Sequence, residues 1–403
     1  MKLIATRLDR IKPSPSSMAT ARVKELRAAG REIIGLTVGE PDFDTPPHII
    51  EAAYDAMKSG KTRYTVVDGT PELKRAVREK FERENGLVFA QDEVSVGNGG
   101  KQVIFNALTC TVEEGDEVIV PAPYWVSYPD MVLLNGGRPV IVECDVNSGY
   151  KMTPAQLEAA ITPRTKWLVL NSPCNPTGAS YTRAELVALG EVLSRHPHVW
   201  ILTDDVYEHL IYDGLEFATF AQCNPHLQER TLTVNGVSKA YAMTGWRIGF
   251  AGGPKTLIKA MAKLQSQSTT NPSAISQAAA LAALNGPKDF LADWRTQFQR
   301  RRDLVVDRLN AIEGLYCPRP TGAFYVYPSC AGVIGRRTPD GRVIANDSDF
   351  VMYLLETQDV GVIQGAAFGL SPAFRISFAT SYEQLQEGCR RIALACESLR
   401  TDA

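Results

Sequence analysis

The chain has 403 residues, more than the roughly 250 to 300 at which a single hydrophobic core usually stops growing, so we expect two lobes. Hydrophobic residues make up 44% and charged residues 22%, ordinary proportions for a globular protein, which argues against extensive disorder. The 43 Lys and Arg against 45 Asp and Glu give a formal charge of −2, which disfavours nucleic acid or an anionic membrane as the main partner.

The N-terminal segment and the cysteines predict a cytoplasmic location. The start MKLIATRLDRIKP reaches Arg7 after a few apolar residues and does not resemble a secretory signal. No apolar run approaches the length of about 18 residues that predicts a membrane-spanning helix. Eight cysteines lie scattered without a C-x-x-C pair, which favours reduced thiols. His196 and His198 match no zinc pattern, so we expect no metal site.

Before about residue 290, short β-branched runs alternate with helical patterns. This alternation predicts an α/β fold with a mostly parallel sheet and helices on both faces. One helix has clear limits, because Thr70 can cap it, Pro71 suits its first position and Asn85-Gly86 can end it. The strand-like runs are 117–120, 139–143, 166–170, 199–203, 231–235 and 247–251.

From about residue 290 the pattern is that of a second, smaller lobe. A charged helix is followed by the strand-like GAFYVYP, a Gly-rich polar stretch over 331–347, another helix and the strand-like FRISFA. Strands and helices in this order, without regular alternation, predict an α+β lobe. The stretch 331–347 is either ordered against a neighbour or mobile.

The segment VSVGNGGKQ predicts either an anion-binding turn or a plain glycine turn. A short strand leads through Gly97, Gly99 and Gly100 into a helix start, which presents backbone N–H groups and the positive end of a helix dipole. Ser95 and Gln102 do not match a Walker loop, and Gln102 does not match a dinucleotide fingerprint. We therefore expect a phosphate cradle of another kind.

Two polar segments follow predicted strands. NSPCNPTG, at 171–178, is a rigid turn at a strand end, where open α/β sheets bind ligands; it contains Asn175-Pro176, a candidate cis bond, and the alternative is an ordinary turn capped by Asn. VWILTDDVYEHL places Asp204 and Asp205 at the end of an apolar strand, with Tyr207 beyond them. A buried carboxylate needs a cationic or hydrogen-bonding partner, unless it caps a helix.

Two basic residues stand out because their surroundings are apolar. Lys239 in VNGVSKAYAMTGWRIGF lies in a short loop between apolar strands, with Arg247 eight residues later. Lysine forms Schiff bases when its amine loses a proton, although most lysines are solvated surface charges. Arg375 lies within the strand-like run 374–379, where it makes either an interior ion pair or a forked contact to a bound carboxylate.

Taken together, these motifs resemble the fold type I, pyridoxal-phosphate-dependent aminotransferases of class I, and among them the bacterial aspartate aminotransferase subgroup close to the aspartate/prephenate aminotransferases. The likeness runs from VGEPDFDTP through SKAYAMTGWRIG to FRISFAT and covers nearly the whole chain. It implies a large cofactor-binding domain at 46–289, a small α+β domain at 290–403 and an N-terminal segment at 1–45 that joins the small domain.

The resemblance implies pyridoxal 5′-phosphate as the cofactor. By this likeness Lys239 holds it as an internal aldimine and then moves a proton between the substrate and the cofactor, and Asp204 keeps the ring nitrogen protonated. Tyr207 and Asn175 hydrogen-bond the ring's phenolic oxygen. Trp125 stacks on the ring. The residues that hold the 5′-phosphate are Gly99, Gly100, Lys101, Ser238 and Arg247.

The same resemblance implies the substrate contacts. Arg375 binds the α-carboxylate, Gly39 faces it, and Trp125 and Asn175 contact the substrate as well. The resemblance also implies that a second carboxylate on the substrate is bound by Lys101 and by residues of the N-terminal KPS segment, namely Lys12, Ser14 and Ser16. Tyr64 reaches the phosphate of a neighbouring subunit, which implies a homodimer.

The implied reaction is a ping-pong transamination between an L-amino acid and a 2-oxo acid. L-Aspartate and 2-oxoglutarate, giving oxaloacetate and L-glutamate, are the leading pair. The alternatives are an aspartate or glutamate/prephenate aminotransferase that makes arogenate, an aromatic amino-acid aminotransferase, or a lyase. Two positions depart from the usual motifs, where Cys174 replaces an Asn and Asp205 replaces a Glu.

Overall fold

A computed structural model describes residues 3–401 of the chain. Its strands are β1 (Ile34–Gly35), β2 (Val94–Gly97), β3 (Glu117–Ala122), β4 (Arg138–Glu143), β5 (Thr165–Asn171), β6 (Trp200–Asp204), β7 (Thr231–Gly236), β8 (Gly249–Gly252), β9 (Tyr325–Val326), β10 (Val360–Gly361), β11 (Ile363–Gln364) and β12 (Phe374–Ser377). Its helices are α1 (Pro15–Ala28), α2 (Pro47–Lys58), α3 (Pro71–Asn85), α4 (Gly100–Thr111), α5 (Ser127–Leu134), α6 (Pro154–Ala160), α7 (Arg183–Ser194), α8 (Phe220–Cys223), α9 (Lys255–Ser266), α10 (Ala274–Asn285), α11 (Phe290–Asn310), α12 (Asp347–Gln358) and α13 (Tyr382–Ser398).

A seven-stranded sheet forms the centre of the fold, in the order β2-β8-β7-β6-β5-β3-β4. Strands β4, β3, β5, β6 and β7 run parallel, and β8 is antiparallel to both of its neighbours. The prediction of a mostly parallel α/β sheet is therefore confirmed. The predicted strand 247–251 begins too early, because Arg247 has a left-handed φ of +55° and the ladder starts only at Gly249.

Helices cover both faces of this sheet. Along β3, Val118 and Val120 pack with α4, α5 and α9 on one face, whereas Ile119 packs with α6 and α7 on the other. Side chains of successive strand residues point to opposite faces, so a strand buried on both sides reads as a continuous apolar run. The apolar runs of the sequence therefore correspond to central strands.

Helix α3 has the limits that the sequence predicts. The Thr70 hydroxyl accepts a hydrogen bond from the Leu73 N–H, and Gly86 ends the helix with a φ of +64°. A left-handed φ at this position favours glycine, which has no Cβ to clash. The helix buries Leu73, Val77 and Phe81 against α2 and α10.

A second layer forms from both ends of the chain. β1 pairs in parallel with β10, and β11, β12 and β9 form an antiparallel sheet. Ile34 and Leu36 share a hydrophobic core with residues of α11, α12 and α13. The N-terminal segment thus contacts the C-terminal lobe, while the division at residues 45 and 289 remains a prediction.

The carboxyl ends of three neighbouring strands meet at one edge of the central sheet. β5 ends at Asn171 and β6 at Asp204, and these two residues are paired in register. β7 ends at Gly236, so Ser238 and Lys239 follow at the same edge. Ligand sites of open α/β sheets lie at this edge. Within residues 3–401, no helix combines the length and the apolarity needed to cross a bilayer.

Candidate active site

A cavity of about 560 Å³ opens at this edge of the sheet. It gathers residues from the strand ends, from the start of α4, from α1 and from β12. The sequence-predicted residues that line it are Gly39, Gly100, Lys101, Trp125, Asn175, Asp204, Tyr207, Ser238, Lys239, Arg247 and Arg375.

Lys239 places a buried amine in the cavity. Its Nζ donates a hydrogen bond of 2.5 Å to the carbonyl of Gly39 and lies 5.7 Å from the centre of the Tyr207 ring. Burial lowers the pKa of this amine to about 8, with Glu40 opposing the shift and Arg375 adding to it. A lysine with this pKa is partly neutral near physiological pH and can act as a nucleophile or a base.

Asp204 is a buried carboxylate whose cationic partner is missing from the described residues. The Tyr128 hydroxyl donates a 2.7 Å hydrogen bond to Oδ2, and no Lys or Arg between residues 3 and 401 lies within 4 Å of the carboxylate. Burial raises the pKa of Asp204, whereas the Tyr128 hydrogen bond lowers it. Tyr128 is a site residue that the sequence analysis missed; its position one helical turn after Trp125 is the signal that could have identified it.

Arg375 is buried on β12 with only 2% of its surface exposed. Its Nη1 donates to Asn175 Oδ1 at 2.9 Å and its Nη2 to the carbonyl of Thr37 at 2.6 Å. Its Nε has no hydrogen-bond partner in the described part of the chain, and no carboxylate there pairs with the guanidinium. The alternative of an interior ion pair is therefore wrong, and Arg375 lines the cavity instead.

The glycine turn before α4 brings the start of that helix close to Arg247. Gly99 has a φ of +86°, and a Cβ there would lie 2.5 Å from Arg247 Nη2. A Cβ on Gly249 would lie 2.2 Å from the Gly100 nitrogen. The backbone contact requires glycine at residue 249, because backbone atoms cannot move aside, and the left-handed φ favours glycine at residue 99. Helix N-terminal N–H groups beside an arginine attract a phosphate.

Aromatic side chains form the remaining walls. The hydroxyls of Tyr207 and Tyr325 lie 2.9 Å apart, and burial raises the pKa of Tyr207 well above its usual value. Trp125 packs edge-on against Tyr128, and the Lys101 amine lies 4.9 Å from the Trp125 ring centre. Tyr325, in the strand-like GAFYVYP, is a second lining residue that the sequence analysis missed.

Neighbouring residues of the turn at 171–178 point to different surroundings. Asn175 lines the cavity, and its N–H donates a 2.8 Å hydrogen bond to Asn171 Oδ1. Cys174 instead donates to the carbonyl of Pro123 at 3.5 Å, and burial raises its thiol pKa to about 11. The cis bond of this turn is Ser172–Pro173 and not Asn175-Pro176.

Several predicted site residues lie apart from the cavity. Tyr64 is 89% exposed, and Lys12 is exposed as well. Ser14 caps α1 by accepting a 3.5 Å hydrogen bond from the Ser17 N–H. The side chain of Ser16 lies outside the described residues. Gly99 lies beside Arg247 but is not itself part of the cavity lining.

Helix α1 lines the cavity with residues that the sequence analysis did not single out. These residues are Ser17, Thr20, Ala21 and Lys24. Their spacing places them on one face of a helix, which is the signal that could have identified them.

The fold and the site together define a class of protein. A mostly parallel sheet presents a lysine, an aspartate and a glycine turn at its carboxyl edge, and an arginine from a second layer lines the same cavity. This arrangement is that of a fold type I transferase.

Comparisons with known proteins extend this conclusion. A family model described as aminotransferase class I and II matches residues 31–392. An aspartate/prephenate aminotransferase of Cereibacter sphaeroides is 60% identical over 399 residues, covering 99% of this chain and all of the relative. The crystal structure of the aspartate aminotransferase from Rhizobium meliloti matches with a TM-score of 0.96 and 57% identity, over 99% of this chain and 100% of that one. The structure of the aspartate aminotransferase from Thermus thermophilus with maleate matches with a TM-score of 0.92 and 44% identity. The match covers 98% of this chain and 100% of that one.

The chain belongs to the class I and II aminotransferase family. It is an aminotransferase, and the resemblance inferred from its motifs is confirmed.

Proposed function

We propose that this aminotransferase uses pyridoxal 5′-phosphate to exchange amino groups between L-aspartate and 2-oxoglutarate. The observation on which the proposal rests is that one cavity is lined both by Lys239, with its buried amine, and by Arg375, whose guanidinium pairs with no carboxylate within residues 3–401. The amine suits a carbonyl cofactor, and the guanidinium suits the carboxylate of an amino acid.

The residues of the cavity fit the cofactor at both of its ends. The carboxylate of Asp204 lacks a cation, and a protonated ring nitrogen would supply one. The cradle of Gly100, Ser238 and Arg247 suits a phosphate dianion. Trp125 would cover the ring.

Each residue has a role that its surroundings support. When bound, pyridoxal phosphate supplies an aldehyde that exchanges amines and a ring that accepts electrons from the substrate α-carbon. Lys239 removes the proton from that carbon and returns it, because its lowered pKa leaves the amine partly free. Asp204 holds a proton on the ring nitrogen. Tyr207, whose raised pKa keeps its hydroxyl protonated, donates a hydrogen bond to the ring oxygen together with Asn175.

The positive charge of the cavity supports a substrate with a second carboxylate. Lys101 lies at the start of α4 beside Trp125, with no ion-pair partner in the described part of the chain. The Thermus thermophilus relative was solved with maleate, a dicarboxylate. Aspartate, oxaloacetate and 2-oxoglutarate each have two carboxylates.

Prephenate is a second candidate acceptor and also has two carboxylates. The Cereibacter sphaeroides relative, at 60% identity, is named for both aspartate and prephenate. Transfer of an amino group to prephenate would produce arogenate.

We also propose a homodimer in the cytoplasm. Ile50, Tyr54 and Met57 form an exposed apolar face along α2, and the exposed Tyr64 and Val66 follow it in the chain. Burial of this surface against a second copy would bring Tyr64 to the partner's phosphate cradle. All eight cysteines are free thiols, which supports a reducing compartment.

Absorption spectroscopy tests the proposal. Purified protein with pyridoxal phosphate should develop a visible band, and L-aspartate should bleach it while oxaloacetate appears in stoichiometric amount. Borohydride should trap the cofactor on Lys239, as peptide mass analysis would detect. A protein that stays colourless and yields no adduct at residue 239 would contradict the proposal.

Dimer formation has its own test. Sedimentation should give twice the 44.2 kDa chain mass. Tyr64→Phe should release the cofactor faster on dialysis than Tyr54→Phe, since only Tyr64 is proposed to reach the phosphate. A monomer with full activity would contradict the shared site.

A further inference from the structure

Tyr325 lines the cavity with a fully buried side chain, and the proposed function gives it no role. It lies on β9, which pairs with β12, the strand that carries Arg375. Its hydroxyl oxygen lies 2.9 Å from that of Tyr207, which follows β6 in the chain. This contact therefore connects the second layer of the fold to the carboxyl edge of the central sheet.

Further contacts hold the Tyr325 side chain in one position. The Arg375 Cζ lies 4.6 Å from the centre of its ring. The ring also packs edge-on against that of Tyr207, with the two centres 5.8 Å apart. A Cβ on Gly39 would lie only 2.8 Å from the Tyr325 hydroxyl oxygen, so the backbone that accepts the Lys239 hydrogen bond packs against this hydroxyl. The Tyr325 hydroxyl is thus fixed beside the residues proposed to bind the cofactor and the substrate.

The number of protons fixes the direction of the hydrogen bond between the two tyrosines. Burial raises the pKa of both Tyr207 and Tyr325, so both hydroxyls keep their protons, and each has one proton to donate. The proposed function uses the Tyr207 proton for the ring oxygen of the cofactor, so the Tyr207 oxygen can only accept from Tyr325. Within residues 3–401 this oxygen is also the one hydrogen-bond partner of the Tyr325 hydroxyl.

We propose that Tyr325 is a positioning residue that donates a hydrogen bond to Tyr207 and thereby directs the Tyr207 proton to the ring oxygen of the cofactor. A hydroxyl that accepts a hydrogen bond is a stronger donor, because successive hydrogen bonds polarise one another. The bond from Tyr207 to the ring oxygen is therefore stronger when Tyr325 is present. This inference rests on the proposed function, since it requires Tyr207 to donate to the cofactor.

The pH at which the bound cofactor changes colour reports the strength of this bond. In pyridoxal phosphate the ring oxygen is next to the carbon that the Lys239 amine attacks, and negative charge on the oxygen attracts the proton on that nitrogen. A weaker bond from Tyr207 leaves more charge on the oxygen, so the nitrogen keeps its proton to a higher pH. The other charged or titratable side chains of the lining are unchanged in a Tyr325 variant; these are Lys24, Glu40, Lys101, Tyr128, Asp204, Arg247 and Arg375.

The test is a pH titration of the visible absorbance of the cofactor-loaded enzyme. Tyr325→Phe removes the hydroxyl and keeps the ring, and it should raise the midpoint of the colour change by about 0.3 to 1 pH unit, the range expected for the loss of one hydrogen bond. Tyr207→Phe should raise the midpoint by more, because it removes the donor itself. Adding Tyr325→Phe to Tyr207→Phe should cause no further rise, because Tyr325 acts through Tyr207.

Tyr327→Phe is the matched control. Tyr327 is 1% exposed, lies outside the cavity lining and donates a 2.6 Å hydrogen bond to the carbonyl of Leu370, so its loss should lower stability and leave the midpoint unchanged. An unchanged or lowered midpoint in Tyr325→Phe would overturn the inference, as would an equal rise in Tyr327→Phe or a further rise in the double variant. A parent protein that binds no coloured cofactor would contradict the proposed function itself, and that result is separable because it needs no variant.

Discussion

The amine of Lys239 donates a 2.5 Å hydrogen bond to the backbone carbonyl of Gly39, a residue 200 positions earlier in the chain. The contact joins the turn after β7 to the N-terminal segment, and it closes one side of the cavity. The carbonyl also orients the amine before any cofactor binds.

The pH dependence of cofactor capture follows from this environment. Burial lowers the pKa of Lys239 from 10.5 to about 8, and the neutral amine is the form that attacks an aldehyde. The rate at which cofactor-free protein captures pyridoxal phosphate should rise with pH up to about 8 and level off above it. Stopped-flow absorbance would measure this rate. A midpoint near 10.5 would contradict the prediction, and Lys239→Ala, the control, should develop no visible band.

The adjacent residues Asp204 and Asp205 should respond differently to the same substitution. Asp204 lines the cavity, so Asp204→Asn should lower turnover at least about 100-fold through loss of charge at the ring nitrogen. Asp205 does not line the cavity, and its carboxylate accepts a 2.5 Å hydrogen bond from Thr219. Burial raises the pKa of Asp205 well above its usual value and so disfavours its charge, and Asp205→Asn, which removes that charge outside the cavity, should keep turnover within a fewfold.

Steady-state kinetics of these two variants, with cofactor content measured by absorbance, would check this difference. An equal loss of turnover in Asp204→Asn and Asp205→Asn would contradict the proposed role of Asp204.

Replacement of Arg375 should separate substrate binding from cofactor binding. Arg375→Lys keeps the charge and loses the forked donors, and charge-assisted hydrogen bonds are worth about 1.5 to 3 kcal/mol each. We expect kcat/KM for amino donors to fall by at least about tenfold while the visible cofactor band is retained. Titration of the band with L-aspartate would report the weaker binding. Loss of the band in Arg375→Lys would assign the residue to the cofactor instead.

A buried ionic cluster connects α3 to the turn that follows Asp204. Lys80 is 1% exposed, forms an ion pair with Glu208, and donates to Asn85 Oδ1 at 2.6 Å. Asn85 Nδ2 donates to Glu208 Oε2 at 2.7 Å. Burial alone would raise the pKa of Glu208, yet the charges of Lys80 and His209 and the hydrogen bonds from Asn85 and Lys80 together outweigh it, and the pKa is lowered. The cluster therefore depends on both charges being present.

Lys80→Met should lower the free energy of unfolding by about 3 to 5 kcal/mol, because it leaves the Glu208 carboxylate buried without its cation. The double variant Lys80→Met/Glu208→Leu should recover a large part of this loss, since no unpaired charge remains. Urea unfolding of the cofactor-loaded protein would measure both. A double variant less stable than Lys80→Met would contradict this account.

Sequence and structure contributed different parts of the site. The alternation of apolar runs predicted the sheet, and Thr70 and Gly86 predicted the limits of α3, because capping and strand alternation are local properties. The same local patterns could not assign Arg375, for which an ion pair and a carboxylate-binding role were equally possible. Its partner Thr37 lies 338 residues away, and only the folded chain shows that no acid within residues 3–401 pairs with the guanidinium.

The N-terminal helix α1 is a second example of a contact that local sequence patterns could not predict. The family resemblance implied Lys12, Ser14 and Ser16 as substrate contacts, whereas the α1 residues that line the cavity include Thr20 and Lys24. The amino-acid sequence by itself determined the class of fold and the family, and it predicted Lys239 as the reactive lysine, because these depend on periodicity and on motifs within short segments. Tertiary structure alone decided which charges stay unpaired at the cavity and which face of α1 meets it, because those properties arise from contacts between residues far apart in the chain.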